Sequence, residues 1–247
     1  MPTVAIVGAR RCTKYGENVA YRAAYDLARH GVIVVSGLAY GIDACAHRGC
    51  LDAGGVTLAV LGTAINQIYP RSNYNLAQRI LERGAILSEY PPDMETRAYN
   101  FQIRNRIVSG LADAVLVVEA SEHSGTIGTY RTALKQGKEV FAVPADITRP
   151  MSVGTNNMLR EGAHPYIDAS DILSNLGMKY CNDMSVDTSG LTTTEQKIYR
   201  AIKRGVQSGD AIIEKLNISA MEFNQAITTL ELEDYVQRQG QLWTIPK

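Results

Sequence analysis

Apolar and polar positions fall in alternating blocks along the first 145 residues. Val4 to Val7, Val32 to Val35, Thr57 to Leu61, Ala85 to Ser88, Ala114 to Val118 and Glu139 to Val143 are short runs rich in aliphatic residues. Runs of this kind form strands buried on both faces, as in a parallel sheet. Between them lie segments with helical spacing: Glu17 to His30, Ala46 to Ala53, Leu76 to Arg83 and Thr126 to Gln136, with glycines (Gly31, Gly84, Gly137) as stops. Strands alternating with helices predict an α/β fold with a doubly wound, mostly parallel sheet. Residues 151–178, with a helical Met158 to Glu161, complete this first domain, 1–178. Residues 179–190 are polar, turn-rich and without periodicity, and read as a linker.

From Leu191 the pattern changes. Thr192 to Thr194 before Glu195 is a helix-start signal, and Ile198, Ala201 and Ile202 give one apolar face. Ala211 to Leu216 is a second short helix. Ser219 caps a third, with Phe223, Ile227, Leu230 and Leu232 apolar. Tyr235-Val236, Gly240 and Leu242 to Ile245 read as a hairpin. Three helices and a hairpin in 191–247 is the order of a winged helix. The third helix carries no Lys or Arg, which a DNA-reading helix normally has. A small interaction or autoregulatory module fits it at least as well as base readout.

The candidate chemistry sits at the strand ends. In a doubly wound sheet, ligands bind in the crevice beyond the carboxyl ends of the strands. Here those ends are small or polar: Gly8, Ser36-Gly37, Gly62, Ser88-Glu89 and Ser124-Gly125. Glycine admits close backbone approach, and free N–H groups at helix N-termini favour anions. Arg10, Arg11 and Lys14 leave the first turn, and Arg104 and Arg106 precede the fifth strand. Phe101 to Gly125 thus runs from an aromatic and basic segment through a core strand to a polar end. The combination suits a phosphate-bearing partner. The plainer reading is tight βα turns, a salt-bridged helix and a core phenylalanine.

Charge sharpens this slightly. Lys plus Arg and Asp plus Glu both total 25, so the chain is not a polycationic, nonspecific DNA binder. Residues 1–150 nevertheless hold 16 basic against 13 acidic side chains, a balance of +3. Residues 151–190 hold 2 against 5, and 191–247 hold 7 against 7. Cys12, Cys45, Cys50 and Cys181 show neither CxxC nor zinc-ligand spacing and read as reduced thiols of a cytoplasmic protein. No apolar run reaches the ~18 residues of a membrane span, and the chain enters a strand pattern at once, so no signal peptide is expected.

The ordered set of short motifs resembles the DNA-processing protein A (DprA/Smf) family. The matching runs are Val4-Ala5-Ile6-Val7-Gly8-Ala9-Arg10; Ser36-Gly37-Leu38-Ala39 with Gly41-Ile42-Asp43 and His47; Tyr69-Pro70; and Phe101 with Arg104-Asn105-Arg106. Ser124-Gly125-Thr126, Val140 to Pro144, and Ser152-Val153-Gly154 with Asn156 follow in family order, over roughly residues 3–172. The resemblance implies a Rossmann-like domain that binds incoming single-stranded DNA during natural transformation, protects it and helps load the RecA recombinase. It also implies a homodimer, no catalysis and no cofactor. By motif position, Arg10 would contact the backbone, with Arg11 beside it, and Phe101 would stack on or wedge against a base. Gly8, Ser36, Gly37, Ser124, Gly125 and Thr126 would offer donors to phosphates. Arg104 and Arg106 would contact phosphate or hold the pocket together, and Asn105 would be a structural hydrogen-bonder. Single-strand binding needs only a modest basic groove with aromatic stacking, which agrees with the charge balance. The chain departs from the family pattern at Ala64, Asn66, Ala98, Ala145 and the run Thr126-Ile127-Gly128-Thr129-Tyr130.

Two other classes use the same crevice. A phosphoribohydrolase of the LOG type has a PGGxGTxxE motif that Ser124 to Thr129 resembles in part. Here Thr132 stands where the catalytic glutamate is required, and glycosidic cleavage needs a carboxylate; Glu89 and Glu119 are the substitutes at strand ends. A nucleotide-signal sensor would need the same pocket and no catalytic group. A dinucleotide enzyme is disfavoured, because no GxGxxG follows the first strand.

Overall fold

The structure, a computed structural model, describes residues 1–178, 191–203, 205–233, 235–240 and 242–244. The chain divides into two compact units, residues 1–180 and 181–247. The expected linker at 179–190 and Cys181 lie outside the described residues.

In the first unit the alternating blocks become β1 (Thr3–Val7), α1 (Lys14–Arg29), β2 (Ile33–Ser36), α2 (Ile42–Asp52), β3 (Thr57–Leu61), α3 (Tyr74–Arg83) and β4 (Ala85–Ser88). They continue as α4 (Asn100–Gly110), β5 (Ala114–Val117), α5 (Thr126–Lys135), β6 (Glu139–Ala142), α6 (Val153–Arg160), β7 (His164–Pro165) and α7 (Ala169–Asn175). The seven strands are all parallel, in the order β4-β3-β2-β1-β5-β6-β7.

Period-two alternation sorts the strand residues onto two faces. Val4, Ile6, Val34, Leu116 and Phe141 face one helical layer, where α1, α2 and α7 contribute Leu27, Ile42 and Ile172. Ala5, Val7, Val35, Val115, Val117 and Val140 face the other, against Val108 of α4, Tyr130 of α5 and Met158 of α6. Leu76, Ala77 and Ile80 of α3 cover Ala59 and Leu61 of β3. Each such Leu or Ile, when fully buried, contributes about 1.5–3 kcal/mol. Tyr130, one of the departures from the family pattern, is 2% exposed in this core.

Several boundaries differ from the sequence-based expectation for local reasons. Helix α1 starts at Lys14 rather than Glu17 because Thr13 caps it, its Oγ1 accepting from Gly16 N at 3.2 Å. Helix α2 starts at Ile42, four residues early, its N-cap Gly41 in the left-handed region at φ 71°. Strand β7 has two residues, too few to show a period, and α7 rests on a capping box between Asp168 and Asp171. Neither was expected. The basic segment Asn100–Gly110 is a regular helix.

The second unit holds α8 (Thr193–Lys203), α9 (Gly209–Leu216), α10 (Ala220–Leu232) and an antiparallel hairpin of β8 (Gln237–Gln239) and β9 (Leu242–Thr244). Ile198, Ile202, Ile212, Phe223, Ile227, Leu230 and Val236 form its core. A capping box between Ser219 and Glu222 starts α10. This is the winged-helix order read from the sequence, with β8 beginning two residues later than expected.

Candidate functional site

The sheet order reverses at β1, which lies between β2 and β5. The loops that leave β1 and β5 therefore part company, and a crevice opens between them at the carboxyl ends. Ala9 N donates to Glu119 O at 2.8 Å, which ties the two loops at their roots.

The floor of the crevice is built from buried polar groups. Arg104, on α4, is 3% exposed, and its Nη1 donates to the carbonyls of Gly37 (2.6 Å) and Val60. A Cβ at position 37 would overlap that guanidinium, so glycine is required by the arginine beneath it. Asp43 Oδ2 accepts from the N–H of Gly37 (3.1 Å) and Ala39 (3.4 Å). Burial raises the Asp43 carboxyl, opposed by the Arg104 guanidinium and by those backbone donors. His47 is fully buried, with Nδ1 2.7 Å from Thr57 Oγ1. The Thr57 hydroxyl donates to Val34 O, so Nδ1 of His47 carries the proton and donates. Burial first, and then the Arg104 charge, push the imidazole down to about 3, so it stays neutral.

The rim is different in kind. Arg10 and Arg11 are exposed and form no ion pair among the described residues. The guanidinium carbon of Arg10 lies 5.4 Å from the centroid of the Phe101 ring. Phe101 is half-buried at the start of α4, and the Tyr69 ring lies 5.4 Å from it, tilted by 49°. Gly62 makes room for this ring, since a Cβ there would sit 2.6 Å from Phe101 Cδ1. On the opposite wall, Thr126 N donates to Ser124 Oγ at 3.2 Å, and Gly125 faces open space with its N–H free.

Of the expected site residues, Gly8, Arg10, Arg11, Phe101, Arg104, Asn105, Ser124, Gly125 and Thr126 line one cleft of about 430 Å³. Gly37 lines an adjoining cleft of about 540 Å³, shared with Arg10, Arg11 and Phe101. Four assignments change. Ser36 is fully buried and its Oγ donates to Ile6 O at 2.6 Å, so it offers nothing to a ligand. The Gly37 N–H is already given to Asp43. Arg104 holds the pocket together, the second of its two expected roles, and Arg106 lines neither cleft because its guanidinium pairs with Glu89. Asn105 is not a structural hydrogen-bonder: its side chain is half-buried, lines the cleft and makes no hydrogen bond among the described residues. The residues that sequence reasoning missed are Tyr40 and Gln102, whose positions on a loop and on α4 carried no pattern.

The candidate carboxylates are engaged. Glu119 is 3% exposed and accepts from Thr13 N at 2.8 Å and from Thr13 Oγ1 at 2.5 Å, and Glu89 pairs with Arg106. Thr132 turns its hydroxyl back onto Gly128 O at 2.8 Å. Cys12 borders the adjoining cleft of about 540 Å³, but burial, then Cys45, Glu17 and Glu119, raise its thiol to about 11, which leaves it a poor nucleophile. No cluster of metal-ligating side chains occurs among the described residues, and no described helix is long and apolar enough to cross a membrane.

Comparison with known proteins agrees with this arrangement. A family model described as DNA recombination-mediator protein A matches residues 1–177, and one described as the DprA winged helix domain matches 184–241. Protein Smf of Escherichia coli is 47% identical over 174 residues, which is 70% of this chain and 46% of that protein. The X-ray structure of DNA processing protein A from Streptococcus pneumoniae has a TM-score of 0.67 at 36% identity, covering 73% of this chain and 63% of that one. DNA processing protein A from Helicobacter pylori, whose structure concerns a single-stranded DNA binding mode, has a TM-score of 0.65 at 34% identity, covering 71% and 80%. The chain spans about half the length of the curated relatives it matches. The match runs through the whole sheet domain and every residue that lines its crevice, and on that ground the chain belongs to the DNA recombination-mediator protein A (DprA/Smf) family.

Proposed function

We propose that the crevice binds single-stranded DNA, and that the protein shields an incoming strand and helps load the RecA recombinase on it during transformation or recombination. The observation that carries this reading is the rim: a half-exposed phenylalanine with Arg10 against its ring and Arg11 in the same cleft, neither ion-paired among the described residues, above a floor where Arg104 already holds two carbonyls. A strand presents a π-face and a phosphate at each nucleotide, and a rim of this kind meets both. In this reading Phe101 stacks on a base, Arg10 and Arg11 neutralise phosphate, and the Gly125 N–H supplies a donor on a loop that Ser124 and Thr126 hold by their mutual hydrogen bonds. Gly8 and Asn105 complete the walls. The protein acts as a cytoplasmic homodimer without catalysis, since the strand-end carboxylates are committed to Thr13 and Arg106.

The test is fluorescence anisotropy of labelled oligothymidylates of graded length at two salt concentrations, with AMP and duplex DNA as competitors. Length-dependent binding that neither competitor displaces well is the expected result. Tight AMP binding without affinity for the oligomers overturns it in favour of a nucleotide sensor.

A further inference from the structure

Phe101 also lines a second cleft, apart from the crevice and of about 1000 Å³, whose other lining residues are not among the expected DNA contacts. It is lined by Tyr69, Tyr74, Arg71, Gln67 and Phe101. Tyr69 and Tyr74 are 50% and 55% exposed, unusual for two aromatic rings on a segment that is otherwise firmly held. The anchors are specific. Asn73, buried between them in sequence, donates from Nδ2 to Leu38 O (3.0 Å) and Ala39 O (3.2 Å), and Thr63 Oγ1 donates to Gln67 O at 2.5 Å. Tyr69 thus stands in water on an anchored loop and Tyr74 on the first turn of α3.

The polar groups of this cleft are also uncommitted. The Arg71 guanidinium forms no ion pair or hydrogen bond among the described residues, whereas Arg79, eight residues on, holds Asp52. Gln67 uses its Oε1 to accept from Thr96 (3.2 Å) and leaves its amide N–H₂ free. Rigid exposed aromatic rings, a lone cation and a free amide donor are the chemistry that takes a nucleobase on a face and a phosphate at its edge. Continuity decides where that nucleotide comes from: Phe101 lines this cleft and both clefts of the crevice, and Tyr69 and Ala98 each line this cleft and one of those two.

We propose that this second cleft is a further nucleotide subsite, occupied by the next base of the same strand whose neighbour stacks in the Phe101 crevice. The proposal rests on the single-strand reading above. Phe101 then acts as a wedge between consecutive bases, one on each side, with Tyr74 stacking on the outer one and Arg71 meeting its phosphate.

Tyr74 is the residue to change, because it lines only the second cleft, whereas Tyr69 packs on Phe101 and touches both. Tyr74→Ala and Tyr74→Phe would be compared with the unaltered chain in titrations of labelled oligothymidylates from two to about ten nucleotides. The expected result is that Tyr74→Ala loses roughly tenfold in affinity for the longer oligomers, binds the shortest as before, and is rescued by Tyr74→Phe. Equal affinity of Tyr74→Ala and the unaltered chain at every length overturns the subsite while leaving the crevice intact. Tyr74-dependent binding of thymidine monophosphate with oligomer affinities unchanged assigns the cleft to a free nucleotide and also overturns it. Failure of the unaltered chain to bind any oligomer removes the single-strand reading itself.

Discussion

The floor and the rim of the crevice use the same residue types for opposite ends. Arg104 is buried, holds two carbonyls and faces Asp43; Arg10, Arg11 and Arg71 stand in water with no counter-ion among the described residues. A buried cation fixed by hydrogen bonds is part of the fold, and its removal strands the groups around it. An exposed cation without a partner adds almost nothing to stability and is available to a ligand. A family motif that places Arg104, Asn105 and Arg106 in a row therefore mixes a structural arginine, a cleft-lining amide and an ion-paired surface arginine.

This contrast can be broken most severely at the floor. Arg104→Ala should lower folding stability by about 3–5 kcal/mol, because Gly37 O and Val60 O lose their donor and the buried Asp43 loses the neighbouring positive charge; urea unfolding reads this directly. His47 gives a second, pH-dependent test. Its folded value of about 3 lies below the unfolded 6.5, so the unfolded chain takes up a proton that the folded one refuses. Stability is full above 6.5 and falls as pH drops toward 3, by about 2 kcal/mol at pH 5. His47→Gln should remove that part of the pH dependence, and identical pH profiles for the two chains would refute the assignment.

The rim should respond in binding alone. Phe101→Ala should weaken oligothymidylate binding by about 1–3 kcal/mol with little change in the salt dependence. Smallest of all, Arg10→Ala should reduce the slope of log affinity against log salt by roughly 0.7 and leave the unfolding curve in place. A large stability loss from either rim variant would erase the distinction between rim and floor.

Much of this architecture was legible in the sequence. Six strands and four of the five helices between them follow from apolar runs, helical spacing and glycine stops, signals that packing reinforces; α4, with Phe101 and Arg104, reads in the sequence as an aromatic and basic segment. Strand β7 and helix α7 escaped because a two-residue strand has no period and its pairing with β6 is a tertiary event. At the site, residue type singled out Arg10, Phe101 and Gly125, and the fold brings all three to one cleft. It could not distinguish glycines needed by a neighbour from glycines open to solvent: Gly37 makes way for Arg104, whereas Gly125 has nothing near it. Nor could it separate a free hydroxyl from Ser36, whose proton is spent on Ile6 O. Those distinctions depend on which side chain arrives from a distant segment.

One helix carries both the buried Arg104 and the Phe101 ring proposed to stack. Phe101 and Arg104 are three residues apart on α4, so the anchor and the contact turn on the same rigid rod. In the proposed binding mode, nothing in that pair has to be ordered when a strand arrives. The configurational entropy lost on association is then borne by the flexible nucleic acid, and the protein meets it as a template already set.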